Sequence, residues 1–127
     1  MKLEPFVRVD GLPFSATRDD VLRDRGRPAS EARNDVGLHE LDYRDAVYRF
    51  QDGGRLEEVT LRAPVVHFGA VAVPFGALES FIREHDPSMF ERAGFVVSPA
   101  FGLAFVPAEP CWVTALARHA IGPWRAL

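Results

Sequence analysis

The stretch Gly11 to Pro28, GLPFSATRDDVLRDRGRP, constrains this chain more than any other, because a turn, a helix start and a helix stop are all legible within it. Ser15 or Thr17 can accept a hydrogen bond from the free amides of a first helical turn, and Asp19 and Asp20 sit where the helix dipole favours negative charge. Val21 and Leu22 supply a narrow apolar stripe. Arg23 and Arg25 suit the negative end of the helix, and Gly26 and Pro28 permit a left-handed exit and forbid continuation. A helix of about two to three turns is expected, too short to stand without packing. A second copy of the plan begins at Pro74, where Pro74-Phe75-Gly76 repeats Pro13-Phe14-Ser15.

The rest of the chain fits two tandem units, each reading strand, helix and three strands. In the first, Phe6 to Val9 is a strand and Ala29 to Gly37 a polar loop without period. Leu38 to Tyr43 and Ala46 to Gln51 are strands, the latter with Tyr48 and Phe50 on one face and Val47 and Arg49 on the other. Asp52-Gly53-Gly54 is a hairpin turn, and Arg55 to Arg62 returns from it with Val59 and Leu61 inward. Glu57 and Glu58 fall on opposite faces, so at least one faces solvent.

The second unit opens on Val65 to Val73, a strand with a bulge or close-approach point at Gly69. Leu78, Phe81, Ile82 and His85 then mark an amphipathic helix that Asp86-Pro87 ends. Phe95 to Ser98, Gly102 to Val106 and Cys111 to Ala117 are the closing strands. Repeat one thus covers about residues 6–62, repeat two about 65–117, and an irregular tail 118–127 carries Trp124 folded back as a plug. The expected fold is α+β: a single domain with an antiparallel-rich sheet, or two sheets, and helices packed on one side.

Composition narrows the function classes. A chain of 127 residues with 47% hydrophobic and 26% charged side chains has the makings of one globular core. A net charge of −3 leaves no basic excess for phosphates, so nucleic acid is not an expected partner. Charge and proline within MKLEPFVRVD argue against a signal peptide, and no apolar run approaches the ~18 residues of a membrane span. With Cys111 as its one cysteine, the chain has no internal disulfide and fits a reducing compartment, so a cytoplasmic location is expected.

No catalytic signature stands out. His39, His67, His85 and His119 are scattered singly, and His67 with Glu57 or Glu58 makes too few ligands for a metal site. Neither metal nor cofactor is expected. Cys111, beside Trp112 in an apolar strand, reads as a core residue, and the Asp19–Asp20 and Asp42–Asp45 pairs are explained by a helix cap and a turn. What remains is surface. Glu31, Asp35, Glu40, Asp42 and Asp45 fall in one stretch and form a candidate rim for a basic partner, against the alternative of a solvated loop. Phe90, Phe95 and Phe101, with Met89 and Trp112, crowd the second unit, where core packing is favoured over an exposed binding patch.

Gly11-Leu12-Pro13-Phe14, Thr17, Asp20-Val21, Gly26, Pro28, Tyr43 and the Asp52-Gly53-Gly54-Arg55-Leu56 hairpin together resemble small bacterial proteins of the toxin-immunity and inhibitor type. That resemblance covers roughly Val7 to Leu61 and implies a compact α+β protein that binds and blocks a partner toxin or enzyme. In architecture, two strand-helix-three-strand units look like the vicinal-oxygen-chelate group of metal enzymes and drug-binding proteins. That likeness places His67 and Glu57 or Glu58 at two ligand positions, but Arg8 and Thr114 at the other two, which disfavours a metal enzyme. The leading expectation is a non-enzymatic protein-binding factor, and the alternative is a small-ligand binding protein or an enzyme of chelate-type architecture.

Overall fold

A computed structural model describes all residues, Met1–Leu127. Three two-residue strands come first, β1 (Leu3–Glu4), β2 (Arg8–Val9) and β3 (Leu12–Pro13), paired antiparallel in a small sheet. The strand expected from Phe6 is shorter, because Phe6 turns the backbone at φ 66 and only Arg8–Val9 pairs. The Phe6 ring packs against Gly102, where an added Cβ would lie 3.0 Å from it, and the Arg118 guanidinium sits over the ring at 4.2 Å from its centroid.

Helix α1 (Arg18–Arg25) starts on Thr17, whose Oγ1 accepts from the Asp20 amide at 3.2 Å while Asp20 accepts from the Thr17 amide at 2.9 Å. This reciprocal pair satisfies two of the amides a helix start leaves free. These bonds from Thr17 hold the Asp20 carboxyl below its ordinary range. Gly26 closes the helix at φ 77, donating back to Leu22.

Four strands then run back and forth as β4 (Ser30–Arg33), β5 (His39–Asp42), β6 (Ala46–Phe50) and β7 (Leu56–Arg62). A hairpin of β8 (Val65–Phe68) and β9 (Val71–Pro74) follows, then α2 (Phe75–His85). A second run of four contains β10 (Phe90–Arg92), β11 (Phe95–Ser98), β12 (Leu103–Phe105) and β13 (Trp112–Leu116). A 3₁₀ turn (Arg118–Ala120) and α3 (Ile121–Ala126) end the chain.

The two four-strand runs form one antiparallel sheet of eight strands, ordered β10-β11-β12-β13-β7-β6-β5-β4. Its seam is β7 against β13, with Thr60 opposite Thr114. One face of the sheet presents Leu41, Tyr48, Phe50, Val59, Leu103, Phe105 and Val113, which pack with Val21 of α1 and with Leu78 and Ile82 of α2 into the main core. Phe68, Phe81 and Phe101 add a partly buried aromatic group on its margin, with centroids 4.9 to 5.5 Å apart. A smaller core lies on the opposite face, where Val97, Ala104 and Leu116 meet Ala120, flanked by Phe90, Phe95, Ile121 and Trp124.

Several sequence expectations are corrected. Ala29 to Gly37 is not all loop: Ser30–Arg33 is the sheet's exposed edge strand, and its polarity is what an unpaired edge requires. Val65 to Val73 is two strands, because Gly69, at φ 62, takes part in a two-residue hairpin turn rather than a bulge. The leading segments of both halves form separate small sheets, and the fourth main strand of each half comes after its helix as β4 or β10. The tail is helical, and α3 lies opposite the face that α1 and α2 cover, so the helices are not all on one side. No helix is long and apolar enough to cross a membrane.

Candidate functional site

Because side chains alternate along a strand, each strand facing the main core also presents a second set to the other face. On β13 that set is Trp112, Thr114 and Leu116; on β7, Glu58 and Thr60; on β6, Arg49; on β5, Glu40 and Asp42. The 3₁₀ turn and α3 cover the β10–β13 side of this face. Next to them lies a groove of about 580 Å³, lined among others by Arg49, Glu58, Thr60, Thr114, Trp112 and Trp124.

The floor is a connected polar network. Arg49 donates from Nε to Glu40 at 2.6 Å and from Nη1 to Thr60 Oγ1 at 2.7 Å, and reaches Glu58 only at 3.4 Å. Thr60 and Thr114 share a hydrogen bond of 2.8 Å across the seam. Whichever hydroxyl donates, one hydroxyl hydrogen of the pair is left over for another acceptor. Trp124 donates from Nε1 to Glu58 at 3.3 Å. Beside these, a register shift after Arg49 removes Glu57 from the strand alternation, and its carboxylate is bonded to His119 Nε2.

The walls are aromatic. Trp124 meets Phe95 edge to face at 4.9 Å, and Arg62 stands over Trp112 at 5.5 Å from its centroid. The Glu58 side chain is 13% exposed. Burial pushes its carboxyl above the ordinary value, and the charges of Glu57 and Glu40 add to that, while Arg49 and Trp124 only partly oppose it.

A second buried carboxylate provides contrast. Asp86 is 1% exposed at the end of α2 and accepts from the Ser88 amide at 2.8 Å, the Ser88 hydroxyl, the Ser98 hydroxyl at 2.6 Å and the Ala100 amide at 3.1 Å. Burial alone would raise its pKa, but these bonds outweigh burial and hold it below the ordinary range.

A larger depression of about 1050 Å³ opens between α1 and the first small sheet, lined by Asp10, Asp20, Asp24 and Asp45 with Arg23 and Arg25. Asp20 is engaged as a helix cap and by Arg23, and Asp45 by Arg25 at 3.0 Å. Exposed pairs of this kind carry little energy and little unmet demand. The smaller groove, with charge taken out of water, is therefore the candidate site.

The acidic residues singled out from sequence do not share one rim. Glu31 pairs with Arg18 of α1 on the main-core side, and Asp45 pairs with Arg25. Glu40 lies on the groove side with Arg49, Asp42 accepts from the Arg44 amide at 2.7 Å in the next turn, and Asp35 is exposed in the β4–β5 turn. The phenylalanines divide likewise. Phe95 lines the groove, Phe90 packs near it under Arg92 and Arg125, and Phe101 belongs to the margin of the main core. All three are half-buried.

Arg49, Thr60 and Trp124 are groove residues that sequence patterning did not single out as a site, while Glu58 and Thr114 entered only as metal-ligand positions. The alternation of Tyr48 and Phe50 put Arg49 on the outer face, but nothing local signals that β13 pairs with β7. The chelate-type ligand positions are apart: His67 lines a separate depression with Lys2 and Arg8, whereas Glu57 and Glu58 line the groove. No three His, Cys, Asp or Glu side chains converge as metal ligands would. Comparison of the chain with protein-family models, curated proteins and solved structures found no match.

Proposed function

We propose that this chain is a non-enzymatic bacterial protein-binding factor of the immunity or inhibitor type, acting in the cytoplasm and blocking a partner toxin or enzyme through the open part of its sheet. The observation that carries this reading is the groove: aromatic walls on a sheet floor, with a buried carboxylate whose charge its neighbours only partly offset. Inhibition needs no reacting group. It needs a preformed surface with a desolvated anchor and a charged margin that selects the partner. The single cysteine, Cys111, supports the reducing location.

The two halves are also read as copies of one unit. The support is their common order of small sheet, helix and four-strand run, together with the meeting of their last strands at Thr60 and Thr114.

The test is to recover the partner from the source cell and compare two variants of this chain by calorimetry. Trp112→Ala removes a groove wall and is expected to weaken binding at least thirtyfold, about 2 kcal/mol, the scale of an interface anchor. Asp42→Lys with Asp45→Lys, neither of which lines the groove, is expected to change the salt dependence far more than the affinity at moderate salt. A Trp112→Ala protein that melts like the wild type and binds as tightly would overturn the groove reading. A small-ligand role is favoured by one observation, the groove's volume, which falls within the ~300–1000 Å³ of ligand clefts. Native mass spectrometry finding a bound small molecule, displaced by no protein partner, would promote it.

A further inference from the structure

The charge under the groove does not balance. Three carboxylates, Glu40, Glu57 and Glu58, face one another's fields there, and Arg49 is the single permanent cation among them. Arg49 spends its short bonds on Glu40 and Thr60, and His119 is committed to Glu57. Glu58 is left with two long contacts, 3.3 Å to Trp124 and 3.4 Å to Arg49, although most of its side chain is out of water. A buried carboxylate in this condition is costly and is relieved by a cation that brings its own donors. The groove's walls include the chain's two tryptophans and Phe95, with Trp124 at Glu58 and Trp112 four residues along the seam opposite Arg62, and such rings attract a cation over their faces. Outside the floor, Arg62 already rests over Trp112, an internal example of a guanidinium on that indole.

Building on the groove reading above, we infer that the groove takes an arginine side chain of the protein partner, its guanidinium paired with Glu58 beside Trp124. Arginine suits this site better than lysine, because the planar guanidinium forms two parallel bonds to a carboxylate and stacks on an indole, while an ammonium does neither. The leftover hydroxyl hydrogen of the Thr60–Thr114 pair offers one donor to a backbone carbonyl of the same segment. Glu58 is thus the specificity residue, and the aromatic walls supply the contact area.

The chain reports on this binding without a label, since both of its tryptophans line the groove. The probe is a capped Gly-Arg-Gly peptide titrated into the full-length protein, with tryptophan emission followed at constant ionic strength. A capped Gly-citrulline-Gly peptide, of the same shape but neutral, is the control. A saturable change with the arginine peptide is expected, with the citrulline peptide about ten- to a hundredfold weaker, the value of a charge-assisted bond. Glu58→Gln is expected to bring arginine affinity down to the citrulline level while melting stays cooperative. Equal binding of both peptides, or no saturable response to the arginine peptide in the wild type, would overturn the inference without any variant. If Trp112→Ala loses the natural partner while the arginine peptide fails to bind, the groove is the interface and the arginine anchor is wrong. If the peptide binds but Trp112→Ala keeps the partner, the pocket is real and the partner docks elsewhere.

Discussion

Asp86→Asn is the sharpest perturbation of the fold. The Asp86 carboxylate ties three pieces of chain together: the end of α2, the turn at Ser88, and the β11–β12 connection through Ser98 and Ala100. Asparagine retains one acceptor oxygen, which serves the Ser88 amide and hydroxyl as before. Its amide nitrogen then stands where Oδ2 accepted from Ser98 and Ala100. The Ser98 hydroxyl can reverse roles, but the Ala100 amide is left facing another donor. One unsatisfied amide costs about 1–3 kcal/mol, and the remaining bonds weaken from charge-assisted to neutral, so a total near 2–4 kcal/mol is expected. Urea denaturation at neutral pH measures it as a lower midpoint with unchanged m. Because the folded pKa of Asp86 is depressed, its contribution is present above the unfolded value, about 3.9, and is lost as pH falls through the folded value. The gap between wild type and Asp86→Asn should therefore narrow below about pH 4. A loss under about 1 kcal/mol, or a gap that widens in acid, would refute this account of the site.

Glu58→Gln should behave in the opposite sense: the raised folded pKa means that wild-type stability falls as pH rises through it, so the variant should be more stable at pH 7 by about 0.5–2 kcal/mol and lose that slope. Thermal melts across pH 4 to 8 check this, and a variant less stable at neutral pH would count against it. Leu78→Ala, at a fully buried site, should cost about 3–5 kcal/mol, and Phe81→Ala, half-buried at the aromatic margin, about 1.5–3 kcal/mol. The reverse order in urea would move the centre of the core. Thr17→Ala should cost about 1 kcal/mol by removing one arm of the α1 capping box, and a neutral result would mean that α1 is held by packing alone.

The parts of the fold that sequence made legible are those whose signals are local. Thr17 and Gly26 bracket α1, Gly53-Gly54 turns β6 into β7, and the spacing of Leu78 and Ile82 places α2 on the core. The edge strands β4 and β10 escaped because an edge that must resist pairing carries charge, here Glu31, Arg33, Glu91 and Arg92, and so reads as loop. The α3 helix escaped because Gly122 and Pro123 argue against a helix, although proline is tolerated in a first turn. The groove was illegible for a different reason: Thr60 and Thr114 meet across a seam between strands far apart in the chain, and no short pattern encodes that pairing. The acidic residues near Asp42 looked like one rim because Arg18, Arg25 and Arg49, which neutralise three of them, approach from other elements.

Asp86 and Glu58 are two buried carboxylates with opposite shifts, and the contrast bears on the proposed role of Glu58. Both are mostly withdrawn from water, and burial alone raises both pKa values. Asp86 then receives four hydrogen bonds from three residues, enough to reverse the shift, and its charge is a fastening of the fold. Glu58 receives two contacts at the long end of the range and stands near two further carboxylates, so its shift is not reversed. A chain under selection for stability alone has an easy remedy in glutamine, which keeps the shape and removes the charge. An acid at the floor of an aromatic-walled groove makes sense if the missing cation arrives with a ligand, in which case the free protein carries the strain that binding relieves. The same substitution should therefore raise stability and lower affinity, and that paired outcome separates a binding carboxylate from a structural one.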